Sequence, residues 1–236
     1  LSYKNKMYIT PDVSLEFFDA GHILGSAMAM VTITGQKLKA KIANFFGRAK
    51  SENPEDEIRI LYTGDLGRKN KPIIRDPATN VGAPDYIVLE STYGNRLHEN
   101  TDEAMEILAK VVKRARDTGG KIIIPAFAIE RTQELVYYFH LLFEQRKIPE
   151  IPIYVDSPMA TNATSIFQVH PECYDEETHK AFLIHHKNPF GFNSLRFVQS
   201  VEESKHLNEE EGPMIIISAD GMCEAGRIVH HLYNNI

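Results

Sequence analysis

Apolar residues recur in two rhythms along this chain, and the change from one to the other divides it. Val13, Leu15 and Phe17 alternate with Ser14 and Glu16, a period of two that predicts a strand. Segments 27–34, 59–63 and 85–90 read the same way, so the first third is expected to be β-rich. Between Thr34 and Arg59 runs a polar, basic insert, about residues 36–57, too long for a hairpin loop and expected to be partly helical from Lys37 to Phe46. From Asn100 the period lengthens. Ala104, Met105, Ile107, Leu108, Val111, Val112 and Ala115 fall at helical spacing, with Asn100 or Thr101 in front to cap the helix and Gly119-Gly120 behind to stop it.

Strand then helix follows three times: 121–125 before 130–146, 151–155 before 161–168, and 214–218 before 224–233. Such alternation predicts a mainly parallel sheet flanked by helices. The boundary therefore falls near residue 95, with a β-rich domain over 1–95 and an α/β domain over 96–236.

Composition narrows the class. With 43% hydrophobic and 25% charged residues, 14 Gly and 12 Pro, the chain can bury a sizeable core, which excludes disordered, collagenous and solenoid readings. Runs such as Ile122–Ile124 and Met214–Ile217 are far shorter than the roughly 20 residues of a membrane span, so a soluble, cytosolic chain is expected. Cys173 and Cys223 are too sparse for a disulfide framework or a thiolate metal site. The net charge of −6 argues against a general nucleic-acid coat. Local charge differs from the total: Lys37, Lys39, Lys41, Arg48 and Lys50 form one basic stretch, and Arg68, Lys69, Lys71 and Arg75 another, while acids gather at 52–57, 172–177 and 209–211. These are either solvated faces or a basic rim that steers a polyanion.

Candidate chemistry sits where strands end. His22 lies in DAGHILGSA, Asp65 in TGDLG and Glu90 in LESTYGN. Polar groups at the carboxyl ends of strands converge on one sheet edge, the usual place for a site. Each alone reads as a turn residue. Together, an imidazole nitrogen and a hard carboxylate oxygen suit one edge of a zinc site.

Three successive segments, FFDAGHILGSA, ILYTGDLGR and PDYIVLESTYGNR, resemble motifs of the metallo-β-lactamase superfamily in its β-CASP branch, which includes the polyadenylation endonuclease and ribonuclease J. Downstream, IIIPAFAIERTQELVYYFHLL, IPIYVDSPMATNATSIFQVHPECYDEE and IIISADGMCEAGRIVHHL resemble the β-CASP domain itself, so the resemblance covers nearly everything but the basic insert. It implies an α/β fold: part of a metallo-β-lactamase αββα sandwich followed by a β-CASP α/β domain. It also implies a zinc-dependent hydrolase of RNA phosphodiesters, favouring endonucleolytic RNA processing, with two zinc ions in the intact parent. By position, His22 is similar to a zinc-ligating histidine, Asp65 to the carboxylate bridging both metals, and Glu90 to the acid that orients a proton-donating histidine. Asp65 and Glu90 are thus the expected catalytic residues, and His22 and Asp65 the expected metal ligands.

The departures matter as well. No HxH occurs among the ten histidines, and the adjacent pairs His185-His186 and His230-His231 have the wrong spacing for the family signature HxHxDH. Leu1 almost directly precedes a strand, and the last helix stops at Asn234-Asn235-Ile236 without a cap, so the chain reads as an internal fragment, inactive by itself. Alternatives stay open: a 5′–3′ exonuclease, a DNA-processing nuclease, or an inactive RNA-binding or scaffold relative. The implied partner is RNA, with a homodimer or processing-complex subunits left open, and the implied compartment is the cytoplasm, or the nucleus for a eukaryotic processing factor.

Four more residues are candidate RNA contacts. Ser157 in VDSP and Ser218 in ISADG each end a strand before a helix, where hydroxyl and backbone N–H groups cradle phosphate, though capping explains them equally. Arg131 and Arg227 open helices and either meet phosphates or form salt bridges. Tyr93 and Arg96 are placed to line the cleft beside Glu90. His140, His170, His230 and His231 read as packing or surface residues rather than ligands.

Overall fold

The computed structural model describes residues 2–47, 57–97, 101–184 and 188–236 and divides into two compact units, Leu1–Arg96 and Leu97–Ile236. The first contains β1 (Met7–Thr10), β2 (Val13–Asp19), β3 (Ala27–Ile33), α1 (Gln36–Phe45), β4 (Ile58–Tyr62) and β5 (Tyr86–Val88). Its sheet keeps sequence order, β1-β2-β3-β4-β5, antiparallel through β4 and parallel between β4 and β5. Register decides which face is core: Phe18 pairs with Met28 and Met30 with Leu61, and these four are buried together with Ala20 under Leu66, Ala78 and Val81. Each fully buried side chain of this size stabilises the unit by about 1.5–3 kcal/mol.

The alternation that announces β2 marks its other side. Val13, Leu15 and Phe17 are only half-buried, whereas Ser14 and Phe18 face the core. The helix expected within the insert is α1, which starts after Gly35 and ends with the Phe46 ring stacked on Tyr86 at 4.2 Å. Arg48, Lys50 and the acids at 52–56 lie outside the described residues, as do Asn100 and the pair His185-His186.

The second unit contains α2 (Thr101–Thr118), β6 (Lys121–Pro125), α3 (Arg131–Glu144), β7 (Ile153–Asp156), α4 (Pro158–Val169), α5 (Glu176–His179), β8 (Leu195–Val198), α6 (Val201–Glu209), β9 (Met214–Ser218) and α7 (Arg227–Asn235). Its strands are all parallel, in the order β6-β9-β7-β8. Gly119, at φ +71, ends α2, and the Gly120 N–H closes on Ala115 O.

The pair β8 and α6 is a fourth strand–helix repeat beyond the three predicted, and Ser200 with Glu203 forms a capping box at its turn. Connections from β6 to β7 and on to β8 run one way along the sheet, and β8 to β9 returns. Right-handed crossovers therefore put α3 and α4 on one face and α6 on the other, in keeping with the packing of α3 on α4 and of α6 on α7. Every residue of β9 is buried, as the apolar run MIIIS requires of a strand flanked on both sides. Among the described residues no helix is long and apolar enough to cross a membrane.

Candidate active site

His22, Asp65 and Glu90 come together in the first unit because three loops are tied to one another by backbone contacts. In the turn after β2, Asp19 Oδ1 accepts the Gly21 N–H at 2.9 Å, and Ser26 Oγ accepts those of His22 and Ile23 at 3.1 and 3.2 Å. Burial raises the Asp19 pKa, against the opposing pull of the Gly21 N–H and Arg75. After β4, Thr63 N–H bonds to Val88 O, and Gly67 N–H to Ala20 O at 2.8 Å. A Cβ on Gly67 would sit 1.7 Å from Gly21 O, so only glycine lets the two turns touch.

This contact brings His22 Nε2 to 3.9 Å from Asp65 Oδ2, with side chains 42% and 79% exposed. Lys71 Nζ donates to His22 O at 3.0 Å, a link that neighbouring-residue patterns do not announce. The Glu90 carboxylate is held differently. Its oxygens accept the N–H groups of Thr92 at 2.9 Å and Leu66 at 3.3 Å. The Thr92 N–H, the Thr92 hydroxyl, the Leu66 N–H and the nearby His22 keep its pKa below the ordinary glutamate value. Glu90 is therefore an anion braced by backbone, with both oxygens engaged. Arg96 lies over the Tyr93 ring, 4.4 Å from its centroid.

His22 and Asp65 offer one imidazole nitrogen and one carboxylate oxygen on adjoining turns, a donor pair that fits one edge of a zinc site. Among the described residues no group of three His, Cys, Asp or Glu side chains is arranged to hold a metal ion.

The four candidate RNA contacts all lie at the carboxyl edge of the second unit's sheet, in unlike states. Arg131 has a 57% exposed side chain, with Nη1 on Glu134 at 2.6 Å. Ser157 caps α4 by accepting the Ala160 N–H at 3.2 Å. Ser218 is 1% exposed, and its hydroxyl donates to Asp156 O, so it presents no hydroxyl to solvent. Arg227 is drawn inward, Nη1 to Asp156 Oδ1 at 2.6 Å and Nη2 to Gln199 O at 2.7 Å.

At the centre of that edge is a residue the sequence reading passed over. Asp156 is fully buried and accepts from Arg227, from Ser204 Oγ at 2.5 Å and from His231 Nε2 at 2.6 Å. Burial alone would push its carboxyl up, but the hydrogen bonds from His231, Ser204 and Arg227 outweigh it and hold the pKa below the ordinary aspartate value. The one available signal was an acid closing the apolar run Ile153–Val155.

Comparison with known proteins agrees with the motifs. Residues 132–236 match the Beta-Casp domain family. The chain is 34% identical over 224 residues to Ribonuclease TTHA0252 of Thermus thermophilus, covering 95% of this chain and 46% of that protein. It is 30% identical to the transcription termination factor FttA of Methanosarcina mazei, over 98% of this chain and 33% of the relative. To the cleavage and polyadenylation specificity factor 73 of Drosophila melanogaster it is 29% identical, over 88% of this chain and 26% of the relative. The chain thus spans less than half the length of these curated relatives. Matched motifs, an all-parallel second sheet and relatives that agree along nearly the whole sequence lead to one assignment: residues 132–236 belong to the Beta-Casp domain family, in a chain similar over nearly its whole length to a ribonuclease.

Proposed function

We propose that the chain is part of a zinc-dependent ribonuclease that hydrolyses RNA phosphodiester bonds endonucleolytically, with residues 1–95 belonging to its metallo-β-lactamase domain and 96–236 to its β-CASP domain. The observation that carries this reading is the meeting of His22 and Asp65 at 3.9 Å on two turns locked by Gly67, with Glu90 bracing the second. In it, His22 and Asp65 are zinc donors. Bound zinc would supply Lewis-acid polarisation of the phosphate and a nucleophile at neutral pH. Glu90 holds the Asp65 turn through Leu66 N–H and bears electrostatically on His22, a positioning role. Arg131 and the Ser157 turn are the proposed phosphate contacts. Ser218 and Arg227 serve the RNA path by fixing its edge, since both are bonded to Asp156.

Assay of the intact protein on RNA blocked at the 5′ end tests the reading. Internal cleavage that stops on chelation and returns with zinc supports it. Cleavage only from free 5′ ends makes it an exonuclease, preference for DNA a DNA-processing enzyme, and RNA binding without cleavage a scaffold.

A further inference from the structure

We infer that His231 is held inside the second unit as a doubly protonated imidazolium, and that its second proton fastens α7 to α6 and β7. The inference stands apart from the RNA reading and rests on which ends of three polar side chains face each other.

His231 is completely buried. Its own carbonyl, which only accepts, lies 2.8 Å from Asn235 Nδ2, and this fixes the donating end of the Asn235 amide. The same Nδ2 donates to Asn208 Oδ1 at 2.9 Å, so Asn208 turns its oxygen, not its nitrogen, toward the cluster. That oxygen is 2.8 Å from His231 Nδ1. Nδ1 must therefore carry a hydrogen. On the other side of the ring Nε2 faces Asp156 Oδ2 at 2.6 Å, and Asp156 is an ionised acceptor that also takes Ser204 Oγ–H. Nε2 must carry a hydrogen too. A neutral ring would set a lone pair against an oxygen at one of these contacts, on a side chain that itself has no exposure to water.

The charges around the ring are consistent with this state. From α7, Arg227 shares Asp156 with His231, each cation taking one carboxylate oxygen, and His230 beside it is exposed. On α6, Glu203 bears on Arg227, while His206 turns outward and pairs with Glu209 at 3.8 Å. From β6, the Lys121 ammonium is occupied by the carbonyls of Leu207 and Asn208, with Glu210 and Glu211 acting on it. Among the described residues Asp156 is thus the one carboxylate in direct contact with the imidazole. The two ring hydrogens thus tie α7 to α6 through Asn208 and to β7 through Asp156.

The test is the 15N spectrum at neutral pH of the intact protein labelled in histidine alone, with His231→Gln to assign the signal. The expected result is that both ring nitrogens of His231 resonate in the protonated range, each coupled to its own hydrogen. A His231 nitrogen at the unprotonated position overturns the inference. Should His231→Gln fail to fold, Asn208→Asp replaces it for the assignment: a carboxylate facing Nδ1 must shift that nitrogen's signal and leave its hydrogen in place, and an Nδ1 without a hydrogen is equally fatal.

Discussion

The Glu90 carboxylate accepts the backbone N–H of Leu66, the residue that follows Asp65, and so braces the turn that presents Asp65 from a strand end 24 residues away. Two acids that look alike in sequence therefore have separate tasks. Asp65 is 79% exposed and free to face a cation, while Glu90 has both oxygens engaged by N–H groups.

This separates two substitutions in the intact protein. Asp65→Asn should lose bound zinc and activity together. Glu90→Gln should keep near-normal zinc and lower kcat by roughly 10²–10⁴, the range that assisted proton transfer supplies. Metal analysis beside steady-state kinetics checks both, and zinc loss in Glu90→Gln would exchange the roles.

The contact at Gly67 should tolerate nothing larger. A methyl group at 1.7 Å from Gly21 O has to push backbone against backbone, so Gly67→Ala is expected to separate the His22 and Asp65 turns. Lowered zinc affinity, with the second unit's fold intact by circular dichroism, is the anticipated result. Unchanged affinity would show that the turns can yield without parting.

Lys37, Lys41 and Lys69 are exposed. If they flank the RNA path, reversing all three charges should raise KM, leave kcat close to normal and flatten the salt dependence by about 0.7 per lost phosphate contact. An unaltered slope returns them to ordinary solvated faces.

Asp156 makes the second unit acid-sensitive. Its folded pKa lies below the unfolded value, so the carboxylate contributes stability above the unfolded pKa and loses it as pH falls through the folded one. Asp156→Asn should remove that part of the acid dependence and destabilise the protein by about 3–5 kcal/mol, because Arg227 loses its directly bonded counter-charge in a largely buried place. Denaturant titration at neutral and acid pH reads both effects.

How much of this could be read beforehand depends on range along the chain. The apolar runs of β6, β7 and β9 and the period of α2 are local, and they identify their elements directly. Edge strand β8 is not so visible: LRFV puts an exposed Arg196 among half-buried neighbours, and the pattern is too short to register. His22, Asp65 and Glu90 stand out because each follows a strand in a turn. The Asp156–His231 contact does not, since its partners are 75 residues apart and a helical histidine among apolar residues looks like filler until the fold brings the carboxylate to it. Ser218 and Arg227, attractive as surface groups by position, are claimed by that same buried acid.

The order β6-β9-β7-β8 has a consequence for how the second unit comes into being. Of the four described strands, the one that emerges from the ribosome after the others is the keystone: β6 and β7 do not pair with each other, and each gains its β9 neighbour only after residue 218 has been made. Until then the three isoleucines of β6 lack the ladder that β9 supplies, and forming it must draw together segments almost a hundred residues apart. The nascent unit passes through a window in which its stickiest strands are unsatisfied, and a chain stopped short of Met214 would remain in that window.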